Sequence, residues 1–171
     1  MTKAGDVAGV IESTLHDLEL EYERDAPDRF VVALPGEKRL KTACWLVIGA
    51  HALEVQAFVM RRPDENREAV YEFLLQRNVR TYGVSWAVDS MGDVYLAGRI
   101  PLAAVSADEL DRVLGSVLEY ADGTFNTLLE LGFGSSIRRE WAWRVKNNVS
   151  LANLQAFRGF AERPADDAGN K

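Results

Sequence analysis

The stretch NREAVYEFLLQRNVRTYGVSWAVDSMGDVYLAGRIPL, residues 66–102, decides the fold because its hydrophobic period changes from helical to alternating. Its first part follows Pro63-Asp64 and spaces apolar residues by three and four positions, as an amphipathic helix does. We expect Asn78 to end this helix, since asparagine tolerates left-handed backbone geometry. The second part alternates apolar and polar residues on both sides of Met91-Gly92-Asp93, which is typical of two strands joined by a turn. The stretch therefore predicts a helix that leads into a β-hairpin.

The residues before this stretch predict another helix and three strands. The apolar stripe of the helix consists of Val7, Val10, Ile11, Leu15 and Leu18. A turn at residues 25–28 precedes a strand at 30–34, and residues 42–48 and 51–60 form a hairpin around Gly49-Ala50. We expect one face of the second hairpin strand to carry Leu53, Val55, Ala57 and Val59.

The residues after the quoted stretch predict a long helix with a defined start. Ser106 and Glu109 have the S-x-x-E spacing of a capping box, in which two side chains bond free backbone N–H groups. Apolar residues keep helical spacing from Leu110 to Leu129. We expect Gly132-Phe133-Gly134 to stop the helix, because glycine disfavours continued helical geometry.

These elements predict an α+β fold, with an antiparallel sheet of about five strands and helices packed on it. The predicted order is α-β-β-β-α-β-β-α, followed by a C-terminal helical appendage. A chain of 171 residues is long enough for one globular domain with a substantial core. We expect that domain at residues 4–134, and a basic, Trp-containing extension at residues 135–171 that is partly helical with a frayed end.

Charge and composition restrict the compartment and the partners. The formal net charge is -6, whereas nucleic acids and anionic membranes attract positive protein surfaces, so binding to nucleic acid is disfavoured. No apolar run reaches the ~18 residues that a membrane span requires, and the N-terminus lacks the apolar segment of a secretory signal. Cys44 is the single cysteine and has no partner for an internal disulfide. These features favour a cytoplasmic protein without a membrane association.

The sequence carries no recognisable reaction centre. His16 and His51 occur in no metal-ligand spacing, and Cys44 stands among apolar residues, where a buried thiol is expected rather than a nucleophile. Asp89 and Asp93 flank the predicted turn, and turn geometry accounts for them better than acid/base catalysis does. We therefore predict no catalytic residue, no cofactor-binding residue, no cofactor and no metal ligand.

The chain is electrically polarised between its two predicted parts. Residues 135–171 hold seven Lys or Arg and four Asp or Glu, a balance of +3, so residues 1–134 carry -9. Arginine and tryptophan are enriched at protein interfaces. The candidate partner-binding residues are Arg138, Arg139, Trp141, Trp143 and Arg144. Alternatively, Ile137, Trp141 and Val145 have helical spacing and pack on the chain's own domain.

Residues 63–102, together with VSADELDRVLGSVLEYAD further on, resemble the YbjN-like family of bacterial proteins over about residues 4–131. The pieces LLQRN at 74–78 and GDVYL at 92–96 carry this resemblance. It implies the fold of type III secretion chaperones, which pair as dimers and bind extended segments of other proteins. The family is also described as regulators of sensory transduction. The resemblance implies no catalytic residue. The residues that match its helix-end pattern have a packing and capping role in our interpretation: Leu74, Leu75 and Asn78.

The favoured function is a non-catalytic protein-binding module, chaperone-like or regulatory, that forms a homodimer and binds an unidentified protein partner. Two alternatives stay open at this stage. One is a small-ligand sensor whose sheet and helices enclose a pocket, and the other is an enzyme whose scattered acidic groups sequence spacing does not reveal. A deep polar pocket would favour either alternative.

Overall fold

The computed structural model describes residues 4–163, with side chains from residue 6 onward. The helices and strands follow in the order α1 (Ala4–Asp17), β1 (Glu21–Ala26), β2 (Arg29–Pro35), β3 (Lys41–Ile48), β4 (Ala52–Met60), α2 (Arg67–Asn78), β5 (Ser85–Val88), β6 (Val94–Pro101), α3 (Ala107–Lys146) and α4 (Arg158–Ala161). Single 3₁₀ segments cover Leu102–Ala104 and Ala152–Phe157. Within this described part, six strands form one antiparallel sheet in the order β1-β2-β3-β4-β6-β5.

One face of the sheet carries the hydrophobic core. Antiparallel register places Phe30 opposite Leu46, and Leu46 opposite Val55, so these side chains form one row across three strands. Helices α1 and α3 pack on this face, and α1 buries Ile11 and Leu15 completely. Each such side chain contributes about 1.5–3 kcal/mol of burial free energy. The prediction that alternate residues of β4 share a face is confirmed by the burial of Leu53, Val55, Ala57 and Val59.

The predicted α+β class with a C-terminal helical appendage is confirmed, and the sheet has six strands where we predicted about five. The strand that we missed is β1, which precedes β2 and makes the order α-β-β-β-β-α-β-β-α. Its sequence EYERDA is charged at four of six positions and exposed along most of its length, because β1 lies at the edge of the sheet. An edge strand of this kind buries no alternating apolar face, so it leaves no strand period in the sequence.

Only one of the two hydrogen bonds of the predicted capping box forms at the start of α3. The Oγ atom of Ser106 accepts the backbone N–H of Glu109 at 3.2 Å, as predicted. The carboxylate of Glu109 does not return to Ser106; instead it accepts the Tyr82 hydroxyl at 2.9 and 3.0 Å. It also lies 3.5 Å from Nη1 of Arg112. Glu109 therefore ties the start of α3 to the loop before β5.

The predicted break at residues 132–134 is found at Phe133, but the chain resumes helical geometry after it, so these residues bend α3 and do not end it. The helix continues to Lys146, and only Phe133 departs from helical geometry, with φ -139° and ψ 18°. Close packing favours glycine on both sides of this bend. A Cβ atom at Gly132 would lie 3.1 Å from Pro63, and one at Gly134 would lie 2.9 Å from the ring of Phe160. The helix therefore crosses the residue 134/135 boundary that we expected between domain and extension.

The segment that precedes α2 holds this bend together. The backbone N–H groups of Asp64 and Glu65 donate to the carbonyl of Gly132 at 3.0 and 3.1 Å. In return, the carboxylate of Glu65 accepts the backbone N–H of Ser135 at 2.5 Å and its hydroxyl at 2.7 Å. Backbone groups left without helical partners need such replacements. These hydrogen bonds thus stabilise the bend and link α3 to the segment that leads into α2.

Candidate protein-interaction surface

An open apolar groove of about 300 Å³ lies between α2 and β5. We call it the α2–β5 groove, and its lining consists of Tyr71, Leu74, Leu75, Trp86, Ala87 and Val88. Leu74 and Trp86 form its buried floor, whereas Leu75 is 65% exposed and Val88 is 48% exposed at its rim. Water therefore contacts two large apolar side chains beside an already apolar floor. Contiguous exposed apolar surface of this kind is typical of interaction sites.

The groove follows from the helical and strand periods of the two elements. Tyr71, Leu74 and Leu75 are three and four positions apart on α2, so they lie on one side of the helix. Leu74 points inward and packs in the core, which confirms its predicted packing role. Leu75 is exposed, so its predicted packing role is wrong. Sequence reasoning missed this surface, although two successive leucines at the end of an amphipathic helix are the signal that could have revealed it.

Helix α2 ends at Asn78, as predicted, but not through left-handed backbone geometry. The backbone of Asn78 does not adopt positive φ, and the residue that follows α2, Val79, has right-handed helical geometry. The side-chain amide of Asn78 instead bonds both backbone polar groups of Trp86. Its Oδ1 accepts the Trp86 N–H at 2.7 Å, and its Nδ2 donates to the Trp86 carbonyl at 3.2 Å. The outward-facing N–H and carbonyl of Trp86, the second residue of β5, therefore both have hydrogen-bond partners. These two bonds also attach α2 to the strand.

The turn after β5 confirms the structural interpretation of Asp89 and Asp93. The Oδ1 atom of Asp89 accepts the backbone N–H groups of Met91 and Asp93, each at 2.9 Å. The Oδ1 atom of Asp93 accepts the backbone N–H of Arg62 at 2.7 Å. Asp89 thus bonds the local backbone of the turn, as expected of aspartate in turns, whereas Asp93 ties the turn to the chain just after β4. They position the end of the groove and are not held across a cleft.

The other residues considered for chemistry lie apart from one another. Cys44 is fully buried on β3, and burial raises the pKa of its thiol to about 12, as expected for a core thiol rather than a nucleophile. His16 lies in the last turn of α1, and His51 lies in the turn between β3 and β4. Among residues 6–163, no three His, Cys, Asp or Glu side chains are placed to hold a metal ion. No helix in the described ranges is sufficiently long and apolar to cross a membrane.

The five candidate partner-binding residues of the extension all lie on α3 beyond its bend, but in unlike environments. Trp141 is buried at 8% exposure, whereas Trp143 is 54% exposed. The guanidinium of Arg138 lies 4.3 Å from the ring centre of Phe160. Arg144 pairs with Glu140 at 2.7 Å. The predicted intramolecular packing therefore applies to Trp141, while Trp143 remains available on the surface.

The chain folds back on α3 after Lys146 and covers part of the surface that carries Arg138 and Arg144. The 3₁₀ segment Ala152–Phe157 and helix α4 both contact α3. Arg144 donates to the carbonyl of Ser150 at 2.7 Å, and Arg138 donates to the carbonyl of Arg163. Arg139 donates to Oγ of Ser136 at 3.0 Å. The predicted frayed end, residues 165–171, lies outside the described part of the chain.

Family and sequence comparisons agree on the larger part of the chain. The family model YbjN, described as "Putative bacterial sensory transduction regulator", matches residues 8–130. "Uncharacterized protein Rv0487" of Mycobacterium tuberculosis is 54% identical over 156 residues, which cover 88% of this chain and 85% of that protein. "Uncharacterized protein ML2442" of Mycobacterium leprae is 54% identical over 162 residues, covering 92% of this chain and 88% of that protein.

Solved structures share the fold at low sequence identity. The HopA1–SchA chaperone–effector complex contains a chain with a TM-score of 0.52 and 15% identity, covering 72% of this chain and 97% of that chain. The heterodimeric ExoU–SpcU complex of the Pseudomonas aeruginosa type III secretion system gives 0.51 and 16%, with 72% and 98% covered. YbjN from E. coli gives 0.50 and 11%, with 69% and 87% covered. At these identities the likeness shows the fold alone.

Proposed function

Because the chain belongs to the YbjN family, we propose that it is a non-catalytic protein-binding module, chaperone-like or regulatory, that acts in the cytoplasm as a homodimer. The observation that carries this proposal is the α2–β5 groove, an apolar floor and rim exposed to water on an acidic chain. Proteins of like fold are named as a chaperone–effector complex and a heterodimeric secretion-system complex, which supports a role in binding protein.

The α2–β5 groove favours a second copy of the chain as one occupant. In a two-fold dimer the same surface meets itself, so Leu75 of each copy enters the groove of the other. Burial of the parts of Leu75 and Val88 that are still exposed, 65% and 48%, would contribute about 1–2 kcal/mol for each side chain. Four such side chains would be buried across the two copies. The apolar floor formed by Leu74 and Trp86 provides the complementary surface.

Side-chain packing, rather than strand pairing, would hold the dimer. The amide of Asn78 already bonds the outward N–H and carbonyl of Trp86, in the middle of the short strand β5. A second strand placed there would have to displace both bonds. The interface therefore depends on the apolar rim, and replacement of a rim residue by a charge is expected to abolish it.

The extension supplies a second surface for an unidentified protein partner in this proposal. Trp143 and Val145 are each 54% exposed on the last turns of α3. They lie beside Arg139 and Lys146, within the part of the chain whose net charge is +3. An acidic partner segment with apolar side chains fits this combination, because charge complementarity guides its approach and tryptophan provides contact area.

The test compares Leu75→Asp with Val79→Asp by light scattering at protein concentrations of roughly 1–100 µM, a range suited to micromolar dissociation constants. Val79 is the matched control, because it is 87% exposed, lies just beyond α2 and does not line the groove. We expect a dimeric mass for the wild type and for Val79→Asp, and a monomeric mass for Leu75→Asp. Circular dichroism checks that both variants fold. A monomeric wild type, or a dimer that survives Leu75→Asp, would reject the proposed interface.

A further inference from the structure

A second cavity, distinct from the α2–β5 groove, lies where the β2–β3 loop meets the end of β4 and the middle of α3. Its volume is about 290 Å³. It is open to solvent, and its walls are apolar, with the rings of Phe58 from β4 and of Phe125 and Phe133 from α3 among aliphatic side chains. Arg39 from the β2–β3 loop and Arg61 lie at its rim. We call it the Arg39 cavity.

Arg39 is the polar group that distinguishes this cavity. Its guanidinium lies 5.7 Å from the ring centre of Phe58 and 5.4 Å from that of Phe125. Its Nη1 donates to the carbonyls of Phe58 and Val59. Neither Nε nor Nη2 of Arg39 has an acceptor within residues 6–163, and no carboxylate of that range pairs with it. Two donor positions of a half-buried cation are thus left for a ligand.

Among the described residues, Arg39 lacks the carboxylate partner that its neighbour Arg61 has. Arg61 lies 4.4 Å from the ring centre of Phe133, but Asp64 neutralises it through bonds of 2.7 and 2.9 Å. Hydrogen bonding to Asp64 raises the pKa of Arg61, whereas burial lowers the pKa of Arg39. Arg39 is the one arginine in the described ranges with a pKa shifted in that direction. A partly desolvated cation without a counter-ion attracts an anion.

The backbone that carries Arg39 is held in place by α3. The Oδ1 atom of Asp122 accepts the backbone N–H groups of Lys38 and Arg39 at 2.8 and 2.9 Å. Partial burial acts to raise the pKa of Asp122, but these backbone bonds outweigh it, and its pKa lies below the ordinary value. Asp122 therefore remains ionised and keeps the loop fixed against the helix that provides Phe125. A fixed donor costs less ordering when a ligand binds.

We propose that the Arg39 cavity binds a small free organic acid, with its carboxylate on the guanidinium of Arg39 and an aromatic or branched apolar body against Phe58, Phe125 and Phe133. Planar guanidinium groups match carboxylates through two parallel N–H···O bonds. A volume of about 290 Å³ is at the lower end of ligand sites and equals roughly ten water volumes. It therefore fits a body the size of phenylacetate. This inference goes beyond the proposed protein-binding role and does not depend on it.

The test uses phenylacetate as the probe and nuclear magnetic resonance of the labelled full chain as the measurement. We expect saturable shifts of the Arg39 Nε–Hε signal and of backbone amides near Phe125, at ligand concentrations up to roughly 10 mM. Two ligand controls separate charge from apolar contact. Phenylacetamide keeps the ring without the charge, and acetate keeps the charge without the ring. Each should bind about tenfold more weakly than phenylacetate, or worse.

Protein variants identify the residue responsible. Arg39→Gln should weaken phenylacetate binding by about tenfold or more, whereas Arg99→Gln, an exposed arginine paired with Glu54 on the sheet, should change it less than about twofold. If Arg39→Gln does not fold, the two ligand controls on the wild type still decide the matter. Absence of saturable shifts, equal affinity for phenylacetamide, or equal binding by Arg39→Gln would overturn the proposal. Tighter binding of a tetrapeptide that ends in phenylalanine would overturn the assignment to a free acid.

Discussion

The two edge strands of the sheet, β1 and β5, differ in the side chains that border them and in how their backbone groups are bonded. At one edge, β1 presents the charged sequence EYERDA, with Glu21 paired to Lys41 at 2.6 Å and Arg24 paired to Glu12 at 3.0 Å. At the other edge, β5 is only four residues long and is bordered by the apolar rim of the α2–β5 groove. No described side chain bonds the backbone of β1, whereas Asn78 bonds the backbone of β5.

This difference teaches that each edge is protected from uncontrolled pairing by its own means. Charged side chains and a register shift between Arg24 and Ala26 make β1 a poor template for another strand. On β5 the backbone is occupied, so contact with another molecule is left to side chains. In the proposed dimer, Leu75 and Val88 then determine where the second copy docks. The predictions below alter each edge separately.

The largest effect is expected from Asn78→Ala, because it leaves the outward N–H and carbonyl of Trp86 without partners. Unsatisfied, partly buried backbone groups cost about 1–3 kcal/mol, so we expect the free energy of unfolding to fall by about 2 kcal/mol. Urea denaturation measures the change. The matched control is Gln76→Ala on the same helix, whose exposed side chain bonds only Glu72, and its effect should stay within about 0.5 kcal/mol. Equal effects of the two substitutions would show that Asn78 does not fasten β5.

A smaller effect is expected from the double substitution Glu21→Thr/Glu23→Thr on β1. Threonine favours strands and removes two charges that discourage edge pairing. We expect the molar mass from light scattering to rise beyond that of the dimer as concentration increases, with little change in unfolding. Glu68→Gln/Glu119→Gln removes the same charge from exposed helical positions and should leave the mass unchanged. If the helical variant assembles equally, net charge rather than the β1 edge explains the result.

Strong periodicity and local motifs made much of the fold predictable from sequence. The alternation of Leu53, Val55, Ala57 and Val59, and the cap at Ser106, depend on neighbours a few residues away. The missed features depend on distant partners. Residues 132–134 continue the helix because Asp64 and Glu65 supply the bonds that the bend requires, and that contact spans about seventy positions. Strand β1 was missed because its charged edge position has no apolar period.

The candidate surfaces were less predictable than the fold. The adjacent leucines of α2 were visible in the sequence, but only the packed sheet shows that Leu74 is buried and Leu75 exposed. The same holds for Asn78, whose bonds reach a strand eight residues later. Arg39 gave no sequence signal, because its aromatic surroundings come from β4 and α3. The spacing of Trp141 and Trp143 did not distinguish packing within the chain from contact with a partner. The structure distinguishes them, because Trp141 is buried and Trp143 is exposed.

Hydrogen exchange followed by mass spectrometry, at protein concentrations of roughly 1 and 100 µM, tests most directly whether the β5 side is the docking surface. One comparison suffices, between peptides that cover residues 71–88 and peptides that cover β1. We predict that higher concentration slows exchange in residues 71–88 and leaves β1 unchanged, because a second copy covers the α2–β5 groove alone. Slower exchange in β1, or no concentration dependence in residues 71–88, would contradict this account.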